Sequence, residues 1–479
     1  MLLQNHLFWR SGFGPTPQMQ NQAKAFTAKK YWDAVWQSAE KAPMPLQVTQ
    51  SMADGMMNGL GQPGGQAQME SEASREVLRK QSRQNIRNLN LLWINEMVES
   101  PAQLREKMSL FWHGHFACRS LNAFFQQQLL HSIRENALGS FATLLREVSK
   151  SPAMLQFLNN QQNRKNSPNE NFAREVMELF TLGRGNYSEK DVKEAARAFT
   201  GWSFDLSGQF IFRKGIHDGG QKTLLGKTGN FNGDDVIDVL LAKEQTAAFI
   251  TNKIYRFLVN DAPNPDHIKW LSKRFFESQY SIQKLLEDIF TASWFYDKAN
   301  IGNRIKSPVE LLVGLRRQMP MKLHNEASQL VFQRALGQVL MYPPNVAGWP
   351  GGQNWIDASA LMFRMRLPQI LAQGQAINLK TKGDDDADMG RMQPADSPIL
   401  PAVAARQRGV ATINWEEIVA AFANVNRENL YQQLGESLLQ MRPLPPKATL
   451  EAFAQKESRE QYISSIMVWL MSTPEYQLC

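Results

Sequence analysis

Apolar residues along most of the chain recur three and four positions apart, and proline or glycine interrupts them. This spacing places one apolar stripe on each helix, so the pattern predicts a mainly α protein. The aromatic residues of 202–212 alternate instead around Ser207 and Gly208, which predicts a short β-hairpin. We expect a large multi-helix globular body with a small hairpin and loop insertion. The predicted helices are 104–121, 139–148, 171–182, 189–201, 234–241, 244–259, 282–291 and 309–319.

Two stretches differ in composition from the helical pattern and divide the chain. We expect a helical core domain over 1–375, with a flexible loop at about 51–73 that is rich in Gly, Met and Gln. The hairpin and a glycine-rich loop lie within this core, at about 202–233. An acidic, proline-rich stretch at 376–411 predicts a linker or insertion. Residues 412–479 predict a C-terminal helical segment that docks on the core.

The composition narrows the class of protein. The 479 residues are 43% hydrophobic and 20% charged, which excludes a wholly disordered chain. The net charge of +8 is dispersed along the sequence and does not favour nucleic-acid binding. No uncharged apolar run approaches the roughly 20 residues that a membrane-spanning helix needs, so we expect no span.

The cysteines and the N-terminus indicate the expected compartment. Two cysteines, Cys118 and Cys479, cannot build a disulfide framework. The first ten residues lack the basic and apolar regions of an export signal. Both observations predict a cytoplasmic protein.

The sequence lacks the motifs of several large enzyme classes. It contains no GxxxxGK[ST], HExxH or GxSxG motif and no strand-borne GxGxxG. P-loop NTPases, zincins, α/β-hydrolases and Rossmann enzymes therefore have no support from the sequence.

Two of the seven histidines, His113 and His115, are separated by Gly114. Such a pair can bind a metal if the glycine kinks the chain, because the two rings then share a face. In an unbroken helix the rings point about 200° apart, with His115 in the core and His113 at the surface or in a cleft. Both interpretations stay open.

Polar side chains form one stripe on the predicted helix 171–182. Asn171, Arg174, Glu175 and Glu178 recur at intervals of three and four. If the stripe faces a cleft, the two glutamates can bind a metal or exchange protons, and Arg174 can hold an anionic substrate. If it faces water, it contains an ordinary Arg174–Glu178 ion pair.

Two loops carry further candidate residues. His217 and Asp218 lie side by side in a glycine-rich loop, which suits either function or a simple turn. The proline- and glycine-rich stretch 343–352 contains Asn345 and Trp349 and either lines a pocket or caps the core.

Six motifs occur in an order that resembles the bacterial domain-of-unknown-function 1800 family. The resemblance begins at 6–14 and reaches 472–479, so it covers nearly the whole chain. It implies a large, mostly helical fold. It also implies a sulfatase-like partner, because family genes often neighbour those of a second family of that type. Gly114 stands where relatives commonly have Asn. The motifs are 111–116, 169–183, 189–202, 217–226, 306–310 and 343–352.

The motifs that carry the resemblance contain the candidate polar residues. The resemblance therefore favours one cleft that these residues share. We therefore expect an enzyme, a hydrolase or oxidoreductase, whose His, Glu and Asp cleft binds a divalent metal such as Zn, Mn or Fe. The alternative is a non-catalytic scaffold or an export and maturation partner of the sulfatase-like protein, which would place the chain in the periplasm. The expected catalytic residues are Arg174, Glu175, Glu178, His217 and Asp218, the metal ligands His113 and His115, and the substrate-binding residues Asn171, Asn345 and Trp349.

Overall fold

The structure is a computed structural model that describes residues 2–22, 27–50, 72–373 and 410–479. The predicted class is confirmed, because the described residues form many α-helices and only three small sheets. The first ten helices are α1 (Leu2–Ser11), α2 (Pro17–Gln22), α3 (Ala28–Ala39), α4 (Glu72–Glu99), α5 (Gln103–His115), α6 (Ala123–Asn136), α7 (Phe141–Lys150), α8 (Pro152–Phe157), α9 (Asn171–Glu175) and α10 (Glu189–Ala198).

The remaining helices follow the hairpin region. Several begin at a side-chain cap; the Ser307 hydroxyl, for example, accepts from the Glu310 amide while the Glu310 carboxylate accepts from the Ser307 amide. These helices are α11 (Gly233–Leu241), α12 (Glu244–Leu258), α13 (Pro265–Glu277), α14 (Ile282–Thr291), α15 (Pro308–Gln318), α16 (Ser328–Leu336), α17 (Ala358–Gln373), α18 (Trp415–Ala421), α19 (Leu430–Leu438), α20 (Lys447–Glu451) and α21 (Arg459–Met471).

Each of the three sheets is one antiparallel pair of three-residue strands. The predicted hairpin is present, with Trp202 opposite Phe212. The third pair joins a strand before 374–409 to one after it, with Met321 opposite Ile413. The strands are β1 (Trp202–Phe204), β2 (Phe210–Phe212), β3 (Lys222–Leu224), β4 (Lys227–Gly229), β5 (Met321–Leu323) and β6 (Ala411–Ile413).

The core formed by the described residues consists of three apolar clusters. The largest lies among helices of the N-terminal 300 residues and includes Trp112 and Phe180. A second joins α15–α17 to the C-terminal helices, with Leu367 and Ile466 among its buried members. The third surrounds Trp93 on α4. Residues 412–479 therefore share a core with helices that precede 374–409, while the domain boundaries stay a prediction.

One predicted helix is too long. The helix expected over 104–121 ends at His115, where Phe116 adopts a non-helical conformation. The apolar pattern continues past this point because the following residues are also buried. Most of the predicted flexible loop at 51–73 and of the linker at 376–411 lies outside the described residues.

Candidate functional site

The helix that carries the two predicted carboxylates changes type along its length. Asn171–Glu175 is α-helical, and Val176–Leu182 continues as a π-helix. The Thr181 hydroxyl donates to the Val176 carbonyl oxygen, five residues earlier, at 2.7 Å. π-Helical turns are rare and are frequently found at functional sites. The sequence predicted one regular helix, which is wrong for its second half.

Glu178 lies on the π-helical part and is held by two side chains. Its Oε2 accepts a hydrogen bond from the Tyr187 hydroxyl, and its Oε1 accepts from Arg184 Nε at 2.9 Å. The Glu178 side chain is only 14% exposed. The tyrosine hydrogen bond, followed by that of the arginine, holds the pKa of Glu178 below its ordinary value. Glu178 is therefore the member of the pair that ionises more readily.

Glu175 lies three residues earlier and has a different environment. Its side chain is half-buried, and its carboxyl makes no hydrogen bond or ion pair with the described residues. Burial raises the pKa of Glu175, and the negative charge of Glu178 raises it further, against the effect of Arg174. Glu175 therefore holds a proton more readily than an ordinary glutamate.

Arg174 and Asn171 bind groups of the protein itself. The Arg174 guanidinium makes two hydrogen bonds of 2.7 Å to Glu189 and one of 3.2 Å to Glu170. These bonds raise the pKa of Arg174. Among the described ion pairs Arg174 does not contact Glu178, so the predicted partner is wrong, while the choice between a cleft and a stripe that faces water stays open. The exposed Asn171 donates from Nδ2 to a backbone carbonyl oxygen at 3.3 Å.

His217 and Asp218 are anchored to the C-terminal end of α10. Asp218 binds the Arg197 guanidinium, with Oδ2 2.7 Å from Nε, which lowers the pKa of Asp218. His217 Nδ1 lies 2.9 Å from the Thr200 carbonyl oxygen, which can only accept, so Nδ1 is the donor of this hydrogen bond. The imidazole also contacts Phe212 edge-on, with ring centroids 5.0 Å apart.

The acidic helix and the His217 loop contact α10 at opposite ends. Arg174 binds Glu189 at its first residue, whereas Asp218 binds Arg197 near its last. Eight helical residues separate the two contacts, which corresponds to about 12 Å along the axis. The two motifs are therefore held at different ends of α10, and a cleft shared by Glu175 and the His217 loop stays a prediction.

His113 is buried among aromatic rings. It is 2% exposed, although the sequence predicted the surface or a cleft for it in an unbroken helix. Its ring lies 5.1 Å from Trp93 and 5.5 Å from Trp349. Its Nε2 accepts a hydrogen bond from the Met341 amide at 3.2 Å, and burial lowers the pKa to about 4. His113 is therefore neutral and protonated on Nδ1.

His115 lies in the largest apolar cluster and has the opposite tautomer. Its Nε2 donates to the Phe180 carbonyl oxygen at 3.3 Å, and its buried Nδ1 has no partner among the described residues. Burial lowers its pKa well below the ordinary value, with a further contribution from Lys253. The two histidines thus bind backbone groups of different segments. The Nε2 atoms of His113 and His115 therefore bind different backbone groups and not a common centre.

The loop over 343–352 packs on the end of α5. A Cβ added to Gly348, whose φ is +81°, would lie 2.4 Å from the Gly114 carbonyl oxygen. The half-buried Trp349 contacts His113, whereas Asn345 is exposed and accepts from the Ala347 amide at 2.9 Å. Two motifs far apart in sequence therefore meet here.

A model of one protein family matches residues 6–478, nearly the whole chain, under the description Protein of unknown function (DUF1800). The chain belongs to the DUF1800 family. No curated protein and no solved structure matches it. The resemblance drawn from the motifs is confirmed, and with it the fold class that DUF1800 membership implies.

The arrangement of potential metal ligands and the composition of the helices bear on the predicted metal and membrane properties of this DUF1800 chain. Within 2–22, 27–50, 72–373 and 410–479, no group of three or more His, Cys, Asp and Glu side chains is placed to hold a metal ion. No helix in the same ranges is long and apolar enough to cross a bilayer. His113 and His115 as metal ligands, and Zn, Mn or Fe as the metal, stay predictions.

Three side chains that hold the predicted carboxylates of the DUF1800 chain were not predicted: Tyr187, Arg184 and Arg197. Arg184 lies within a tight turn and Tyr187 lies just after it; Gly183 and Gly185 of this turn have φ values of +81° and +84°. Glycines so close behind a helix signal a chain reversal, which could have indicated that residues after the turn return to Glu178. Arg197 binds Asp218, which lies 21 residues later in the chain, so no local sequence pattern predicts this contact.

Proposed function

We propose that this DUF1800 protein is a hydrolase that uses Glu175 as its proton-transfer group and Glu178 as a fixed negative charge beside it. The observation that carries the proposal is the opposite displacement of the two pKa values on one short helix. Pairs of titratable groups whose surroundings push their pKa values apart are typical of acid–base catalysts.

Each carboxylate has a distinct role in this proposal. Glu175 donates its proton to the leaving-group oxygen as the bond to it breaks, and then recovers a proton from the water that completes hydrolysis. Glu178 stays ionised because Tyr187 and Arg184 donate to it. Burial is the main cause of the raised pKa of Glu175, and the charge of Glu178 adds to it. The absence of a protein partner for the Glu175 carboxyl among the described residues supports this role.

The test is hydrolysis of p-nitrophenyl esters, phosphates and glycosides by the purified full chain. We expect turnover in one class, a loss of about 100-fold or more in Glu175→Gln, and no change in Glu147→Gln, an exposed helical control. Unchanged turnover in Glu175→Gln, or no turnover in any class, contradicts the proposal.

The broader predictions have their own tests. About one equivalent of Zn, Mn or Fe, lost in both His113→Ala and Glu175→Gln, would support a metal-dependent enzyme or oxidoreductase. Stable co-purification with a sulfatase-like protein would support the scaffold or export role. Both functions, and the compartment, stay predictions.

A further inference from the structure

An apolar cavity of about 710 Å³ lies between the N-terminal helices and the end of α15. This volume is within the usual range of small-molecule sites. We call it the Arg317 cavity, after the guanidinium in its wall. Its apolar lining includes Phe8, Met19, Val35, Val98, Pro320 and Met321.

Arg317 is a buried cation without a carboxylate partner. It is 5% exposed. Its Nε donates to the Gly14 carbonyl oxygen at 3.0 Å and its Nη1 to the Val98 carbonyl oxygen at 2.7 Å. Among the described residues its Nη2 has only the Met19 sulfur, at 3.7 Å, as a partner. Arg317 makes no ion pair with the described residues, although a buried charge is costly unless it is paired.

Two further polar atoms in the wall lack partners. The buried Nε of Arg316 and the buried Oε1 of Gln103 make no hydrogen bond to any described residue. These two atoms are closed off from solvent, so the group of the wall that is left to meet a ligand is the Arg317 guanidinium. Glu99 and Glu417 also line it, but neither makes a salt bridge to Arg317.

The cavity has an accessible rim on α3. Ala34 lines the cavity and is exposed, and Ser38, one turn later, is half-buried. A ligand can therefore enter past α3 without displacing a core residue.

We propose that the Arg317 cavity binds a medium-chain aliphatic carboxylate, with the carboxylate at Arg317 and the chain along the apolar wall. The carboxylate supplies the missing counter-charge and accepts the unused guanidinium N–H groups. The methylene chain replaces water against the apolar side chains. The site is independent of Glu175 and Glu178, which line no part of this cavity.

The first test compares decanoate with decan-1-ol by titration calorimetry on the full chain. We expect decanoate to bind with one site per chain, and decan-1-ol to bind at least tenfold more weakly. Arg317→Gln is expected to weaken decanoate binding at least tenfold. Equal binding of the two compounds, or no binding of decanoate, overturns the proposal.

A second pair of variants keeps the test independent of folding effects at the buried arginine. Ala34→Trp places a large ring at the exposed rim and is expected to abolish decanoate binding without lowering the melting temperature. Ala358→Trp, at an exposed position outside the cavity, is the matched control and should bind as the wild type does. Decanoate binding that survives Ala34→Trp overturns the assignment to this cavity. Glu175→Gln should bind decanoate normally, which separates this site from the proposed hydrolase site.

Discussion

Glu175 and Glu178 lie three residues apart on one helix, yet the pKa of Glu175 is raised and that of Glu178 is lowered. Burial without a hydrogen-bond partner acts on the first, and hydrogen bonds from Tyr187 and Arg184 act on the second. This asymmetry arises at the boundary between α-helical and π-helical backbone. It gives the DUF1800 chain one carboxyl suited to hold a proton and one suited to hold a charge.

Removing the Tyr187 hydroxyl should change both carboxyl pKa values. In Tyr187→Phe the ionised Glu178 loses a donor, so its pKa rises. Glu178 is then less often charged, so the pKa of Glu175 falls. ¹³C NMR of labelled glutamate carboxyls measures both effects, and Arg184→Gln should act in the same directions more weakly. Unchanged titration of both carboxyls in Tyr187→Phe would show that the tyrosine does not couple them.

Glu310 should be critical for stability because it is the counter-charge of two buried cations. Its Oε1 accepts from Lys107 Nζ and, at 3.4 Å, from Arg304 Nη1. Glu310→Gln leaves these charges unpaired and should lower the free energy of unfolding by about 3–5 kcal/mol in a urea titration.

The control for Glu310→Gln is Glu147→Gln, which should stay within about 0.5 kcal/mol of the wild type. Adding Lys107→Met to Glu310→Gln should restore part of the loss, since one of the unpaired charges is gone. A Glu310→Gln protein as stable as the wild type would contradict the assigned role.

The buried histidines should make the protein less stable in mild acid. Burial lowers the pKa of His113 from 6.5 to about 4, and those of His6 and His115 are also lowered. Between these pH values the unfolded imidazoles bind protons that the folded ones do not, so the free energy of unfolding falls as pH falls. His113 alone accounts for up to about 3 kcal/mol across this window.

Urea titrations at pH 7 and pH 5 measure this effect. In His113→Gln the stability difference between the two pH values should shrink by about 2 kcal/mol, because one titrating group is absent. A difference that is the same in His113→Gln and the wild type would argue against a lowered pKa.

The contact of the 343–352 loop with α5 should tolerate no side chain at Gly348. Gly348→Ala puts a Cβ against the Gly114 carbonyl oxygen at a positive φ. It should therefore lower the free energy of unfolding by about 1–3 kcal/mol. Gly351→Ala, in the same loop and with no atom within 4 Å of the added Cβ, is the matched control. Equal stability of the two variants would indicate that the loop does not pack as described.

The sequence predicts those parts of the fold that depend on the spacing of apolar residues within one element. The 202–212 hairpin can be predicted because its aromatic residues alternate. The helices can be predicted because each buries one face, which places apolar residues three and four positions apart. The π-helical segment cannot be predicted in this way, since apolar residues three and four positions apart do not reveal that the backbone has about one residue more per turn than an α-helix. The burial of His113 depends on Trp93 and Trp349, which come from distant segments.

The candidate site was only partly predictable for the same reason. The polar stripe identifies Glu175 and Glu178, but the partners that distinguish them are set by tertiary packing. Arg174 could pair with several nearby glutamates by spacing alone, and the position of α10 selects Glu189. The Arg317 cavity leaves no sequence motif, because its wall is assembled from segments 300 residues apart.

The most direct test of the central claim is the ¹³C NMR pH titration of the Glu175 and Glu178 carboxyls in the full chain. Glu175→Gln and Glu178→Gln spectra assign the two signals. The account predicts that Glu175 titrates above the ordinary value of 4.5 and Glu178 below it. Coincident titration near 4.5, or the reverse order, would contradict it.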